Sequence, residues 1–404
     1  VATDVAINII PDPGTTAVGR VFDRDGNPVA GATVACMGVS GVTGPDGTFS
    51  LSGLPTVRGD IRCKVTIVAA DGTRLDGASP RVSPVQGGTT NLGALIAREG
   101  PLYPGPKFAV GLEPESVVVA DLNRDGALDI ATANRRSNTM SVLLGNGDGT
   151  FRTQQTDGAI SGPESIVAAD LNGDGVPDLV TANGSTDRVS VFLGNGNGTF
   201  QAERRFVVGD LPEAIAVADV NRDSVPDLVI ANVSSDDVSV LLGNGNGTFQ
   251  TQQRFAAGDG PQAVAVTDLN RDGLLDLAVV NSFSGDISIL LGNGDGTFQA
   301  QMRFPSGVQP RSIAVADLNR DTIPDLVVPT PGTSEVLVFL GNGDGTFQAS
   351  RSSSVEGFPE TAATADLNGD AIPDLVAAGG LTETSVWEMG PLDRHNFWWL
   401  GELL

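Results

Sequence analysis

The stretch "DLNRDGALD", residues 121–129, sets a carboxylate or carboxamide at every second position, Asp121, Asn123 and Asp125, and closes on Asp129. Carboxylates this close repel one another and raise each other's pKa unless a positive charge lies among them. A loop written this way is either a solvated turn or a cradle for a cation. The spacing recurs: Asp121, Asp170, Asp219, Asp268, Asp317 and Asp366 each open a copy, 49 residues apart. "GNGDGTF" or "GNGNGTF" keeps the same step from Gly145, Gly194, Gly243, Gly292 and Gly341. So do Pro114, Pro163, Pro212, Pro261, Pro310 and Pro359. Self-similarity at a period of about 20–50 residues marks a solenoid, a propeller or an array.

One copy reads as short strands. From Arg254, "RFAAGDGPQAVAVTDLN" alternates small apolar and polar residues, "LLDLAVVN" and "DISILLGNG" follow, and "TFQAQMRF" leads out. Runs of Val, Ile, Leu and Phe broken by Gly, Asn and Asp are strands joined by tight turns. Four antiparallel strands in about 49 residues is the size of a propeller blade, whereas β-helix repeats are far shorter. The expectation is an all-β chain with a six-bladed propeller, seven blades being the alternative. The glycine-rich copies are read as hairpin turns, with Gly and Asn at positive φ and Phe anchoring the seam between blades.

Composition narrows the function. The formal charge of −25 argues against nucleic acid or an anionic membrane surface as partner. Three Asp in each of six loops, eighteen in all, explain much of it. No apolar run approaches the roughly 20 residues of a membrane helix. His395 is the single histidine, which nearly excludes His-based zinc sites and His-dependent nucleophilic catalysis. No unassigned acid/base pair or nucleophile stands out, so a non-catalytic protein is expected. The chain begins at Val1, read here as a secretory signal removed and an extracellular or cell-surface location.

The loops carry the candidate site. Position one is Asp121, Asp170, Asp219, Asp268, Asp317 and Asp366; position three is Asn123, Asn172, Asn221, Asn270, Asn319 and Asn368. Position five is Asp125, Asp174, Asp223, Asp272, Asp321 and Asp370; position nine is Asp129, Asp178, Asp227, Asp276, Asp325 and Asp374. Position seven, Ala127, Val176, Val225, Leu274, Ile323 and Ile372, can offer its backbone carbonyl. That is the ligand order of a hard-cation loop, and calcium accepts an all-protein oxygen cage better than magnesium does. An EF-hand is excluded, because position twelve is Thr132, Thr181, Ile230, Val279, Val328 or Ala377 in place of Glu. About six calcium ions are expected, one per loop. Position six is Gly126, Gly175 and Gly273, but Ser224, Thr322 and Ala371 elsewhere. If it needs positive φ, Thr322 fits worst, and the loop opened by Asp317 is expected to bind weakly or bend differently.

From about residue 105 to 390 the chain resembles the FG-GAP repeats, the calcium-binding propeller blades of integrin α-subunits and many secreted bacterial proteins. The family's namesake stands as Phe108, Gly111 and Pro114, as Phe206, Gly209 and Pro212, as Phe255, Gly258 and Pro261, and as Phe304, Gly307 and Pro310. The second and sixth copies keep Pro and lack that Phe. Residues 17–97, with "AVGRVFDRDGNPVAGATV" and "VTGPDGTFSLSGLP", resemble the carboxypeptidase regulatory-like family. That resemblance implies a transthyretin-type β-sandwich, a spacer or adhesive module without an active site. Cys36 and Cys63 both fall in it, either bridged or as two buried thiols. Arg58-Gly59-Asp60 and the sequons at Asn183, Asn197, Asn232 and Asn246 are read as chance.

The domain expectation is therefore 1–98 for the sandwich with its extension, 99–107 for a linker, 108–390 for the propeller and 391–404 for a Trp-rich tail. Trp387, Trp398 and Trp399 all fall in the last stretch. "FWWLGELL" either closes the last blade as its outer strand or docks on a neighbouring copy. "YPGPKFAVG", ahead of the first loop, resembles the "QMRFPSG" lead-out and is the rival closing strand. The function expected is a secreted structural or adhesive component that self-assembles through its termini, with surface glycans or proteins as other partners. A lectin-like propeller is the alternative.

Overall fold

The computed structural model describes residues 15–22, 28–36, 39–46, 48–54, 63–68, 74–78, 89–96, 98–99, 108–157, 161–355, 357–366, 373–379, 385–389 and 399–403. Among them every regular element is a β-strand, and no helix is long and apolar enough to cross a membrane. The chain divides into two compact units. One holds Val1–Lys107, Ser385–Gly390 and Trp398–Leu404; the other holds Phe108–Thr384 and Pro391–Phe397.

The second unit is built from four-stranded antiparallel sheets in chain order. In the first repeat Pro114–Ala120, Asp129–Asn134, Thr139–Leu143 and Gln155–Asp157 pair in succession. The second has Pro163–Ala169, Asp178–Asn183, Arg188–Phe192 and Arg204–Val207. The third has Pro212–Ala218, Asp227–Asn232, Asp237–Leu241 and Gln253–Ala256. The fourth has Pro261–Thr267, Asp276–Asn281, Asp286–Leu290 and Met302–Pro305. The fifth has Ala314–Ala316, Asp325–Thr330, Glu335–Phe339 and Arg351–Ser354. In the sixth, Thr361–Ala365 pairs with Asp374–Gly379. Within the first unit the backbone strand Trp399–Leu403 pairs antiparallel with Ser385–Met389.

Successive sheets stack through their first strands: Pro114–Ala120 lies against Pro163–Ala169, that strand against Pro212–Ala218, and that one against Pro261–Thr267. The second strands, such as "DLVIAN" at 227–232, are buried along their whole length, as a continuous apolar run covered on both faces should be. The core lies between blades. Leu171, Val180, Val189 and Val191 of the second repeat pack with Ile215, Leu228, Ile230, Leu241 and Phe249 of the third. Each such side chain contributes about 1.5–3 kcal/mol when fully buried. At the seams after the second, third and fourth blades a lead-out Phe meets a turn Phe edge to face: Phe206 with Phe249 at 5.3 Å, Phe255 with Phe298 at 5.2 Å, and Phe304 with Phe347 at 5.5 Å between ring centroids. The expected seam role of the turn Phe is thus seen directly. Phe108 meets Phe151 in the same way, at 4.9 Å, so the chain ahead of the first loop fills a lead-out position.

The first strand of the second, third and fourth repeats begins at Pro and bulges at the following residue, Glu164, Glu213 or Gln262. Pro has no N–H for the ladder, and a bulge at a rim ends pairing and re-aims a side chain.

In the first unit, Thr15–Phe22 pairs antiparallel with Thr48–Leu54 and parallel with Thr89–Ile96. A second sheet runs Val39–Val42, Thr33–Cys36, Cys63–Val68, Arg74–Ala78 and Arg98–Glu99. Ala17, Val21, Val34, Cys36, Phe49 and Leu51 are buried. Cys36 is disulfide-bonded, which decides between the two cysteine readings; Cys63 is the only other cysteine and sits opposite it in the ladder. The residues of Arg58-Gly59-Asp60 lie outside the described residues.

Candidate metal centre

Each acidic loop joins the first and second strands of its blade, and its side chains fold the backbone around themselves. In the first loop Asp121 accepts from the backbone N–H of Asp125 at 3.1 Å and of Gly126 at 2.9 Å. Asn123 Oδ1 accepts from the same Asp125 N–H at 2.9 Å, while its Nδ2 donates to Asp125 Oδ2 at 2.9 Å. Asp125 Oδ1 accepts from the N–H of Ala127 at 2.9 Å. The loops opened by Asp170, Asp219, Asp268 and Asp317 repeat this pattern. Asx turns of this kind gather the oxygens of positions one, three and five on one side of a tight loop.

Position nine is held differently. Asp129 is fully buried, and its two oxygens accept from the N–H of Leu122 at 2.9 Å and of Gly145 at 2.7 Å. Asp178, Asp227, Asp276 and Asp325 do the same with Leu171 and Gly194, Val220 and Gly243, Leu269 and Gly292, and Leu318 and Gly341. This Asp is a pin: it ties the acidic loop to the first glycine of the "GNG" turn, 16 residues on. That glycine has no room for a side chain, since a Cβ on Gly292 would lie 2.1 Å from the carbonyl oxygen of Leu275. Two motifs that look separate in the sequence are one structural unit, and their constant spacing was the available clue.

Among the described residues no three His, Cys, Asp or Glu side chains form a group arranged to hold a metal. Each oxygen of position nine accepts one backbone N–H and keeps a second lone pair, so the pin leaves this Asp in the expected ligand order. Positions one, three and five supply two carboxylates and an amide oxygen, with the position-seven carbonyl available beside them. In the sixth loop Asn368, Asp370, Ala371 and Ile372 lie outside the described residues, while Asp366 and Asp374 lie within them.

The backbone corrects several expectations. Position six is at positive φ in every described loop, 84° at Gly126, 66° at Ser224 and 67° at Thr322. Thr322 nonetheless keeps the same turn, its N–H donating to Asp317 at 2.8 Å, so this loop does not bend differently. Position four, which sequence reasoning passed over, is also at positive φ: Arg124, Gly173, Arg222, Arg271 and Arg320 lie between 61° and 75°. In the "GNG" turns only glycines take positive φ, such as Gly147 at 78° and Gly149 at 84°; Asn146 and its counterparts do not. The Asn instead folds the turn through its side chain, Asn146 Nδ2 donating to Thr150 Oγ1 at 2.8 Å.

The position-four arginines matter electrostatically. Arg271 donates to Thr322 Oγ1 of the next blade's loop at 3.2 Å, and the Arg124 guanidinium lies beside Gly175, the matching position of the second loop. Arg152 reaches Asp125 Oδ2 at 3.5 Å. Some of the loops' charge is therefore met by arginine from a neighbouring element. Burial raises the pKa of Asp178, Asp227 and Asp276 against the two N–H bonds each accepts, and it pushes Asp325 up to about 6. The nearby acids of positions five and one add to the rise.

A second acidic group sits at the bulges. Glu164, whose side chain is 7% exposed, lies 3.1 Å from Arg135 Nε. Burial, then the charge of Glu213, pushes its pKa up to about 7 against the pull of Arg135.

The profile of FG-GAP-like repeats matches residues 121–181, 173–230, 219–279, 268–328 and 323–377, more than half of the chain. The chain belongs to this family, and its second unit has the FG-GAP repeat β-propeller fold. No curated protein matches it significantly. Among solved structures it is similar to a protein from Lactobacillus plantarum, with 12% identity and a TM-score of 0.56, covering 85% of this chain and 94% of that one. A functionally unknown protein from Desulfotomaculum acetoxidans gives 13% and 0.53, covering 84% and 92%. An Agrocybe aegerita lectin, described as recognising non-reducing terminal N-acetylglucosamine, gives 23% and 0.51, covering 71% and 79%. At these identities the likeness is one of fold.

Proposed function

We propose that the protein is a secreted, non-catalytic calcium-binding protein: a six-bladed propeller preceded by a small β-sandwich, serving as a structural or adhesive surface component. The observation that carries this reading is the register of the loops. Five successive described copies present the same Asp-Asn-Asp oxygen set on the same Asx-turn backbone. A hydrated turn has no need to keep that set at each 49-residue step; a repeated hard-cation site does. At a Kd of about 0.1 mM and free calcium of about 1 mM, each filled site adds roughly 1.4 kcal/mol. The Cys36 disulfide supports an oxidising compartment.

Self-association through the terminal regions is the second part of the proposal. Negative-stain imaging of the full chain and of a chain ending at Gly390, with calcium and with chelator, tests it. Polymers that vanish on truncation support the proposal; discrete particles under every condition contradict it. Glycan binding is the second reading, favoured by a polar cavity in the second blade. The repeats have few aromatics for stacking sugars, with one Tyr in the whole chain and all three Trp within residues 387–399.

A further inference from the structure

Two blades share a side-chain cluster whose central carboxylate the second blade replaces with a cation. In the third and fourth blades an Asp at the start of the third strand, Asp237 or Asp286, gathers three donor side chains. Asp237 accepts from Asn232 Nδ2 at 2.9 Å, from Ser235 Oγ at 3.0 Å, and from Arg254 of the outer strand. Asp286 accepts from Asn281 Nδ2 at 2.8 Å, from Ser284 Oγ at 3.0 Å, and from Arg303. In the second blade the same register position is Arg188, and the outer-strand arginine is Arg205. The carboxylate is gone and a second cation stands in its place.

Three consequences are visible. Arg205 has turned to Glu203, its NH2 group 2.6 Å from Glu203 Oε2, and Glu203 also takes the Ser190 hydroxyl. Asn183 is 2% exposed and donates one N–H to Ser190 at 2.7 Å; no acceptor among the described residues takes the other. Arg188 makes no ion pair among the described residues. These groups, with Ser161 and Thr186, line a cavity of about 310 Å³. Asp187, next in sequence, accepts from the Leu211 backbone N–H at 3.0 Å and is not part of the lining. The opening therefore combines two arginines, one already paired, with a buried amide donor that has an N–H without an acceptor among the described residues, in a chain of net charge −25.

We propose that this cavity binds a small hydroxylated carboxylate, an acidic sugar unit, whose carboxylate takes the position that Asp237 and Asp286 fill in the next two blades. The planar guanidinium of Arg188 offers a fork for both carboxylate oxygens, and the spare N–H of Asn183 completes the set. Ser161 and Thr186 can exchange hydrogen bonds with ring hydroxyls, and Glu203 can accept from one. The volume is at the small end of ligand pockets, suited to one sugar ring and too large for a lone water. The site does not depend on cations in the acidic loops.

The test titrates the full chain with glucuronic acid, glucose and acetate by calorimetry, in calcium and again in chelator. Glucuronate should saturate a single site, acetate should bind more weakly, and glucose should not bind. Arg188→Asp rebuilds the arrangement of the third and fourth blades inside the cavity, so it should fold with an undiminished melting temperature. It should weaken glucuronate binding about 10-fold or more, and Arg188→Ala should weaken it as well. Unchanged affinity in a folded Arg188→Asp protein overturns the proposal. So does glucose binding as well as glucuronate, or wild-type protein showing no saturable binding. The same binding in chelator as in calcium separates this result from the fate of the calcium reading.

Discussion

Asp276 and Asp272 stand four residues apart in one loop and do different work. Asp276, fully buried, holds the backbone N–H groups of Leu269 and Gly292; Asp272 is exposed at the loop's oxygen set. Asp276→Ala leaves two buried donors unpaired and should destabilise the propeller by about 3 kcal/mol even in chelator. Asp272→Asn should lower the melting temperature in calcium and leave it nearly unchanged in chelator. Paired thermal melts of the two variants check this, and an Asp276→Ala protein as stable as wild type in chelator would contradict the pin. The acids with raised pKa give a pH signature. Glu164, at about 7, and Asp325, at about 6, bind protons more readily in the fold than in the unfolded chain. Their stabilisation is complete below the ordinary carboxylate values and is lost as pH rises through the folded ones. In chelator, stability should therefore fall between about pH 5 and pH 7. Glu164→Gln should flatten part of that slope and be at least as stable as wild type at about pH 8.

Two kinds of element decide the architecture: the seam between blades, and the loop-to-turn pin. Phe249 joins the apolar cluster of the second and third repeats and meets Phe206 edge to face. Phe249→Ala should cost about 3 kcal/mol, read by chemical denaturation, because a stacked seam cannot collapse around the gap. Phe151→Ala should cost less if Phe108, 37% exposed, is only a partial lid over it. Strand number, strand order and the seam Phe were legible from periodicity alone, because a fixed repeat carries its own alignment. The pin was not. Asp129 and its counterparts fit the position-nine ligand slot, and nothing in that spacing shows that both oxygens also clamp buried backbone N–H groups. Position four was missed for a related reason. Arg is an unusual residue at positive φ, so nothing in its identity announced the turn, whereas glycine did so at position six.

At the scale of the whole molecule, the blades keep one backbone register while the residue at the start of the third strand varies, Thr139, Arg188, Asp237, Asp286 and Glu335 in turn, and Arg188 is the cation among them. In the first unit the disulfide at Cys36 ties two adjacent strands, and its reduction should destabilise that unit by about 2–4 kcal/mol while leaving the propeller's transition in place. Differential scanning calorimetry with and without reductant would show one transition moving and the other fixed. The tail illustrates where sequence reading stops. Its composition identified a stretch that must be covered, and strand pairing places Trp399–Leu403 beside Ser385–Met389, but apolarity alone cannot choose between closing a blade and docking on a copy. The claim on which the rest turns is that divalent ions bridge the loop oxygens and hold the blades together. Its most direct test is a thermal melt of the full chain in about 1 mM calcium and in excess chelator, with metal content measured on the same material. Several bound calcium ions and a melting temperature lowered by about 10 °C or more on chelation are predicted. Folded protein without calcium, or a melting curve that chelator does not move, would contradict it.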